Sequence, residues 1–109
     1  MTTDDAITVL LSKIARATEA LSDAVVNEMS LEDGRTKIKM EAVQRIMAGG
    51  DNPMTGKPHS FSSAEAIANT DKTYNDYLAT VRQAAAQRII ARGQYDAAII
   101  EAQLIANKR

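Results

Sequence analysis

Along the first half of the chain, Ile7, Leu10, Leu11, Ile14, Ala17, Leu21, Ala24 and Val25 recur at spacings of three and four, with Ile7, Ile14 and Leu21 in one heptad column. That period is the apolar stripe of an amphipathic helix. The stripe fades over residues 30–39, around Asp33-Gly34, and resumes with Met40, Val43, Ile46 and Met47. A glycine inside a helix costs only about 1 kcal/mol relative to alanine. The pattern therefore predicts one helical arm over residues 4–48, continuous or kinked at Gly34. It starts near Thr3 or Asp4, where small polar and acidic residues suit orphan amides and the positive end of the helix. In the second half, Tyr74, Leu78, Val81, Ala85, Ile89, Tyr95, Ile99, Ala102 and Ala106 trace another stripe, predicting an arm over 71–107 that Thr70 or Asp71 caps. Gly93 interrupts this arm much as Gly34 interrupts the first.

Between the arms, residues 49–63 hold three of the five glycines, both prolines, and Asp51, Asn52, Ser60 and Ser62. Such a cluster reads as a loop. Asn52-Pro53 and Lys57-Pro58 disfavour helix at Asn52 and Lys57. Gly49 or Gly50 can take the left-handed conformation that ends a helix, and Thr55-Gly56 supplies a turn. Ser62-Ser63-Ala64-Glu65 has the form of a capping box opening a short helical turn over 63–69.

Two long helices joined by a compact loop are expected to fold back as an antiparallel αα-hairpin, so the predicted fold is all-α and a single domain over residues 1–109. With the turn near residues 56–60, residues whose numbers sum to roughly 116–120 face each other. Glu28, Glu32 and Asp33 then fall near Arg88 and Arg92. The charge distribution agrees with that register. Residues 1–34 carry seven acids and two bases, and residues 35–92 carry nine bases and five acids. Solvated helix faces would account for the same charges, and exposed pairs contribute about 0–1 kcal/mol each.

Composition narrows the class. The 109 residues include nineteen Ala, no Cys and no Trp, and a formal charge of −1. Without Cys there is no disulfide framework, thiolate nucleophile or zinc ribbon. A near-neutral chain is neither a histone-like DNA wrapper nor an acidic DNA mimic. No apolar run reaches the roughly 18–20 residues that span a bilayer, so no membrane partner is expected. The acidic Met1-Thr2-Thr3-Asp4-Asp5 is unlike a secretory leader, which makes the cytoplasm the expected compartment. So much Ala leaves a thin core, while Val9, Val26, Ile38, Ile67, Ile90, Ile100, Leu104 and Ile105 lie off the main stripes. A lone hairpin would expose many of these, and large exposed apolar patches mark partners. A homo-oligomer is the expected outcome, a dimer forming a four-helix bundle or coiled coil, with Ile90, Tyr95, Ile99, Ile100 and Leu104 as candidate interface. The alternative is a compact monomeric bundle of three or four helices, broken at Gly34 and Asn69.

The loop offers the only candidate chemistry. A P-loop needs Gly, four residues, then Gly-Lys-Ser/Thr. Here Gly56-Lys57 is followed by Pro58, and Asp51 stands where the first Gly belongs. A calcium loop beginning at Asp51 would put Pro53 at its third position and has no Glu at its twelfth. His59 has no second His or Cys nearby to complete a metal site, and Ser60, Ser62 and Ser63 have no base partner beyond it. No catalytic residue, cofactor or metal is expected. Lys57 and His59 are the candidate loop contacts, able at most to hold an anion near the start of the short helix. Phe61 is expected to plug the loop onto the helices.

The run Asn52-Pro53-Met54-Thr55-Gly56-Lys57-Pro58-His59-Ser60, followed by Ser62-Ser63-Ala64-Glu65, resembles a loop in small helical proteins of tailed bacteriophages and prophages. In those proteins a Gly-Lys-Asn-Pro-Leu-Thr-Gly-Lys-Pro-His-Ser type of sequence joins two long helices. The second of these helices commonly carries a Tyr-x-x-Tyr-like start and a Gly-x-Tyr-x-Ala-Ala stretch, here Tyr74 to Tyr77 and Gly93 to Ala98. The resemblance covers roughly residues 40–106 and implies an early-region phage product near recombination or replication functions, in the bacterial cytoplasm, of undefined role. The function expected is a non-enzymatic protein that docks on itself and on a protein or protein–DNA assembly. Nucleic-acid binding through Arg35, Lys37, Lys39, Arg45, Lys57, Arg82, Arg88 and Arg92 is the alternative, weakened by neighbouring acids and sparse aromatics. Inhibition of a host enzyme or defence complex is a further one. A secreted hairpin of the Trp-x-Gly type does not fit a loop without Trp.

Overall fold

A computed structural model describes residues 3–108. The chain is all-helical: α1 (Thr3–Ala48), α2 (Phe61–Ala68) and α3 (Lys72–Asn107), the first and third long. Among the described residues there is no strand, only an isolated bridge between Asp51 and Pro58. No helix among them is long and apolar enough to cross a membrane. Asp4 and Asp5 occupy the first turn of α1. Thr3 opens that helix, and a cap ahead of it falls outside the described residues. Neither Gly34 nor Gly93 breaks its helix.

The chain divides into two compact units. One contains residues 1–29 and 84–109, and the other residues 30–83. In the first unit the buried and half-buried positions of α1 include Ile7, Leu10, Ile14, Ala17, Leu21, Ala24 and Glu28, with Ala6 and Val25 beside them. Those of α3 include Ala84, Arg88, Ala91, Tyr95, Ala98, Ala102 and Ile105. Each series alternates steps of three and four, the seam of a coiled coil. The α3 seam differs from the stripe read off the sequence. Ile89 is 62% exposed, and the seam passes instead through Ala84, Ala91 and Ala98, at 5, 6 and 3% exposure. A pattern search follows the largest apolar residues, whereas tight helix packing favours the smallest ones, because a methyl group lets backbones approach. Leu11, counted in the α1 stripe, is likewise 62% exposed.

The second unit holds the best-formed core. Ala42, Val43, Ala64, Ala68 and Tyr74 are buried together, with Ile38, Ile46 and Leu78 packed around them. α2 therefore docks by alanines four residues apart, one face of a two-turn helix. Its N-cap is Ser60, whose hydroxyl accepts from the Ser63 amide at 3.1 Å, rather than Ser62. The loop thus spans 49–60 and the helix starts two residues earlier than the capping-box pattern suggests. Glu65, which that pattern assigns to the cap, lies 3.7 Å from Lys39 of α1. Asp71 caps α3 by accepting from the Tyr74 amide at 2.9 Å. It also takes both guanidinium nitrogens of Arg45, at 3.2 and 3.3 Å. These contacts, the Tyr74 amide foremost, hold the Asp71 carboxyl below the ordinary carboxylate range.

Gly34 has a specific use. The Tyr77 hydroxyl donates to the Leu31 carbonyl of α1 at 2.6 Å. A Cβ at position 34 would lie 2.5 Å from that hydroxyl oxygen. The fading of the stripe around Gly34 marks a close approach by α3, not a weak point in α1. Gly93 has nothing within 4 Å of where its Cβ would sit.

Candidate functional site

Loop 49–60 is organised by one residue, Asn52. Its amide donates to the Lys57 carbonyl at 2.8 Å, and its carbonyl accepts from the amides of Thr55 (3.2 Å) and Gly56 (2.8 Å). Its side-chain oxygen accepts from the Met54 amide at 2.9 Å, closing an Asx turn. Gly56 takes a φ of +66°, the left-handed value that the tight reversal requires. Gly50 leaves α1 at φ +120°, which also favours glycine. The Asn52 side-chain nitrogen then reaches the Ser63 hydroxyl at 3.3 Å, tying the loop to α2.

His59 Nδ1 lies 3.1 Å from the same Ser63 hydroxyl. A hydroxyl beside an imidazole is the start of a nucleophile–base pair. The Ser63 hydroxyl also accepts from Asn52 Nδ2, which leaves its own hydrogen free for the imidazole, and the Ser63 amide donates to the Ser60 hydroxyl of the cap. The contact ties the loop to the first turn of α2. Among the described residues no three His, Asp or Glu side chains gather as a metal site needs. Lys57 is exposed, with its amide bound by the Thr55 hydroxyl at 3.3 Å. Met54, at the tip, is 90% exposed. Phe61, the first residue of α2, is 49% exposed and so is not the enclosed plug expected of it.

Of the five residues expected to meet across the arms, Glu28 and Arg88 form an ion pair, each occupying a seam position. Their side chains are 20 and 40% exposed. Glu32 instead pairs with Arg35 at 3.7 Å, and Arg92 with Asp96 at 3.1 Å, each within its own helix. Lys13 pairs with Glu101 at 3.0 Å in the same unit as Glu28 and Arg88. Five of the eight bases proposed for a nucleic-acid strip are therefore engaged by carboxylates: Arg35, Lys39, Arg45, Arg88 and Arg92.

The candidate interface residues separate into two sets. Tyr95 and Ile99 are half-buried, whereas Ile90, Ile100 and Leu104 are 52, 55 and 58% exposed. Two grooves adjoin the helices. One, of about 550 Å³, is floored by Ala17, Ala20, Ala97 and Ala98 and rimmed by the Lys13–Glu101 pair. The other, of about 360 Å³, is lined by Arg35, Lys39 and Glu65 over Met40 and Val43. Asn52 and Gly34 are the working residues that sequence reasoning missed. An Asn-Pro ahead of a Thr-Gly turn signals the first; the second had no local signal, because Tyr77 is remote in sequence. The chain matches no protein-family model, no curated protein and no solved structure.

Proposed function

We propose that this protein is a non-enzymatic helical interaction protein of phage or prophage origin that works in the bacterial cytoplasm. Its two long helices fold back as an antiparallel hairpin, associate with further copies and dock on a protein or protein–DNA assembly. The carrying observation is the quantity of large apolar surface left outside. Among the described residues, twelve large hydrophobic side chains are exposed, and eight of them belong to the unit of residues 1–29 and 84–109. Large apolar side chains left exposed in that number support an association surface. Ion-pair order supports the hairpin: as α1 advances from Lys13 to Glu28, the partners on α3 recede from Glu101 to Arg88. The braced loop, with Met54 at its tip and Lys57 beside it, supplies a rigid feature for a second partner, and rigidity lowers the cost of binding.

Affinity capture from prophage-bearing cells tests the docking, with a Met54→Asp/Lys57→Glu chain as control. A phage recombination or replication protein retained by the native chain and lost by the control is the expected result. Identical recoveries with both chains refute the loop as a contact.

A further inference from the structure

We infer that α2 is a lid: it lifts off α1 while the two long helices of its unit stay packed, and so uncovers a face of α1 that the closed chain hides. The hold of α2 is small. Its eight residues bury only Ala64 and Ala68, whose methyl groups are the smallest apolar side chains available. Its larger apolar residues stay outside, Phe61 at 49% and Ile67 at 40% exposure. A helix in water is marginal below about 12–15 residues, so α2 keeps its form only while docked. Elements with few buried apolar contacts are the ones that open without global unfolding.

The polar contacts divide in the same way. Within residues 51–68, Asn52 and His59 both reach the Ser63 hydroxyl, and Ser60 caps the helix, so these bonds move with α2 rather than hold it down. Among the described residues, the ion pair from this segment to a long helix is Glu65 with Lys39. At 3.7 Å it is longer than a hydrogen bond, and its side chains are 45 and 30% exposed. The long helices have ties of their own that bypass α2. Tyr77 of α3 bonds the Leu31 carbonyl of α1, and Asp71, just ahead of α3, takes both guanidinium nitrogens of Arg45. An opening is therefore bounded by the end of α1 on one side and Asp71 on the other. Gly50, at φ +120°, supplies a residue without a Cβ where the chain leaves α1.

The joint between lid and helix is incomplete even when closed. The groove of about 360 Å³ lies where Glu65 of α2 meets Lys39, Met40 and Val43 of α1. Lifting α2 widens that groove, frees the Lys39 ammonium from Glu65, and brings to solvent the side of Val43 that α2 borders. Val43 is 1% exposed in the closed form. Lid and covered face belong to one chain, so the opening is independent of the association proposed above.

Hydrogen exchange of the full native chain, without denaturant, tests the lid. The helical amides of residues 65–68 should exchange at least 100-fold faster than those of residues 38–46 in α1, after correction for intrinsic rates. Thiol labelling gives a second measure, because the chain has no cysteine of its own. Ala64→Cys, at a position 0% exposed, should react with an aromatic disulfide reagent at least 100-fold faster than Val81→Cys, at a position 6% exposed in the same unit. Lys39→Glu removes the outer tie and sets two carboxylates together. It should speed exchange of residues 65–68 about fivefold and leave residues 38–46 unchanged. Amides of 65–68 exchanging within threefold of those of 38–46 overturn the lid, as does an equal rise over both segments in Lys39→Glu. Where the introduced cysteine itself loosens α2, exchange of the native chain decides.

Discussion

Substituting Gly34 by alanine sets two calculable effects against each other. In a plain helix the change stabilises by about 1 kcal/mol, because alanine gives up less backbone freedom than glycine. At this position the new methyl would sit 2.5 Å from the Tyr77 hydroxyl oxygen, far inside contact distance. Tyr77 must swing away and abandon its 2.6 Å bond to the Leu31 carbonyl. A lost hydrogen bond costs about 0.5–1.5 kcal/mol, and a partly buried hydroxyl left without a partner costs about 1–3 kcal/mol. The second effect wins, so Gly34→Ala should destabilise by about 1 kcal/mol net. The diagnostic is a reversal of sign. With Tyr77→Phe the hydroxyl is gone, and the nearest remaining atom, the ring Cζ, lies 3.5 Å from the new Cβ, an ordinary contact. In that background Gly34→Ala should stabilise by about 1 kcal/mol, a coupling of about 2 kcal/mol between the sites. Denaturant melts of the four chains at one fixed protein concentration measure it, since association shifts apparent stability. Gly34→Ala stabilising the native background, or a coupling below about 0.5 kcal/mol, refutes the close-approach account.

Val43 is 1% exposed at the centre of its core, so Val43→Ala should cost about 2–3 kcal/mol in a chemical melt. Arg88→Glu puts two carboxylates face to face on the seam and should cost about 1–3 kcal/mol after allowance for partial exposure, with recovery when Glu28→Arg is added. Arg92→Glu, whose partner is on its own helix, should cost below about 0.5 kcal/mol, and chemical melts of both arginine variants beside the native chain measure the difference. The lowered Asp71 carboxyl adds stability in full above the ordinary carboxylate pKa of about 3.9 and loses it as pH falls through its lower folded value. Melting temperatures taken from pH 6 to pH 2 should therefore fall more for the native chain than for Asp71→Asn, and parallel curves would remove Asp71 from the acid response.

The existence of the helices and the loop between them was legible because each announces itself locally, by period, capping residue and proline. Several details were not. The seam through Ala84, Ala91 and Ala98 and the contact of Gly34 with Tyr77 are decided by what approaches from elsewhere in the chain, whereas the cap at Ser60 instead of Ser62 is a choice among neighbouring serines that the pattern alone does not make. Alanine is the ambiguous letter: a good helix former wherever it stands, it does not announce whether its methyl faces solvent or a neighbouring backbone. Three adjacent positions are the measure of this. Ala84 is buried, Ala85 half-buried and Ala86 exposed, and nothing in the run Ala84-Ala85-Ala86 ranks them. Extending the alternating period of the seam down from Ala98 through Tyr95, Ala91 and Arg88 reaches Ala84 and passes over Ala85 and Ala86. The same alternation carried through Ile90 and Ile100 picks out Ala86, Gly93 and Ala97, all exposed. Phase, not residue size, therefore sorts the small residues of α3, and it sorts the isoleucines too: Ile105 falls in phase with the seam and is half-buried, whereas Ile90 and Ile100 fall out of phase and are exposed.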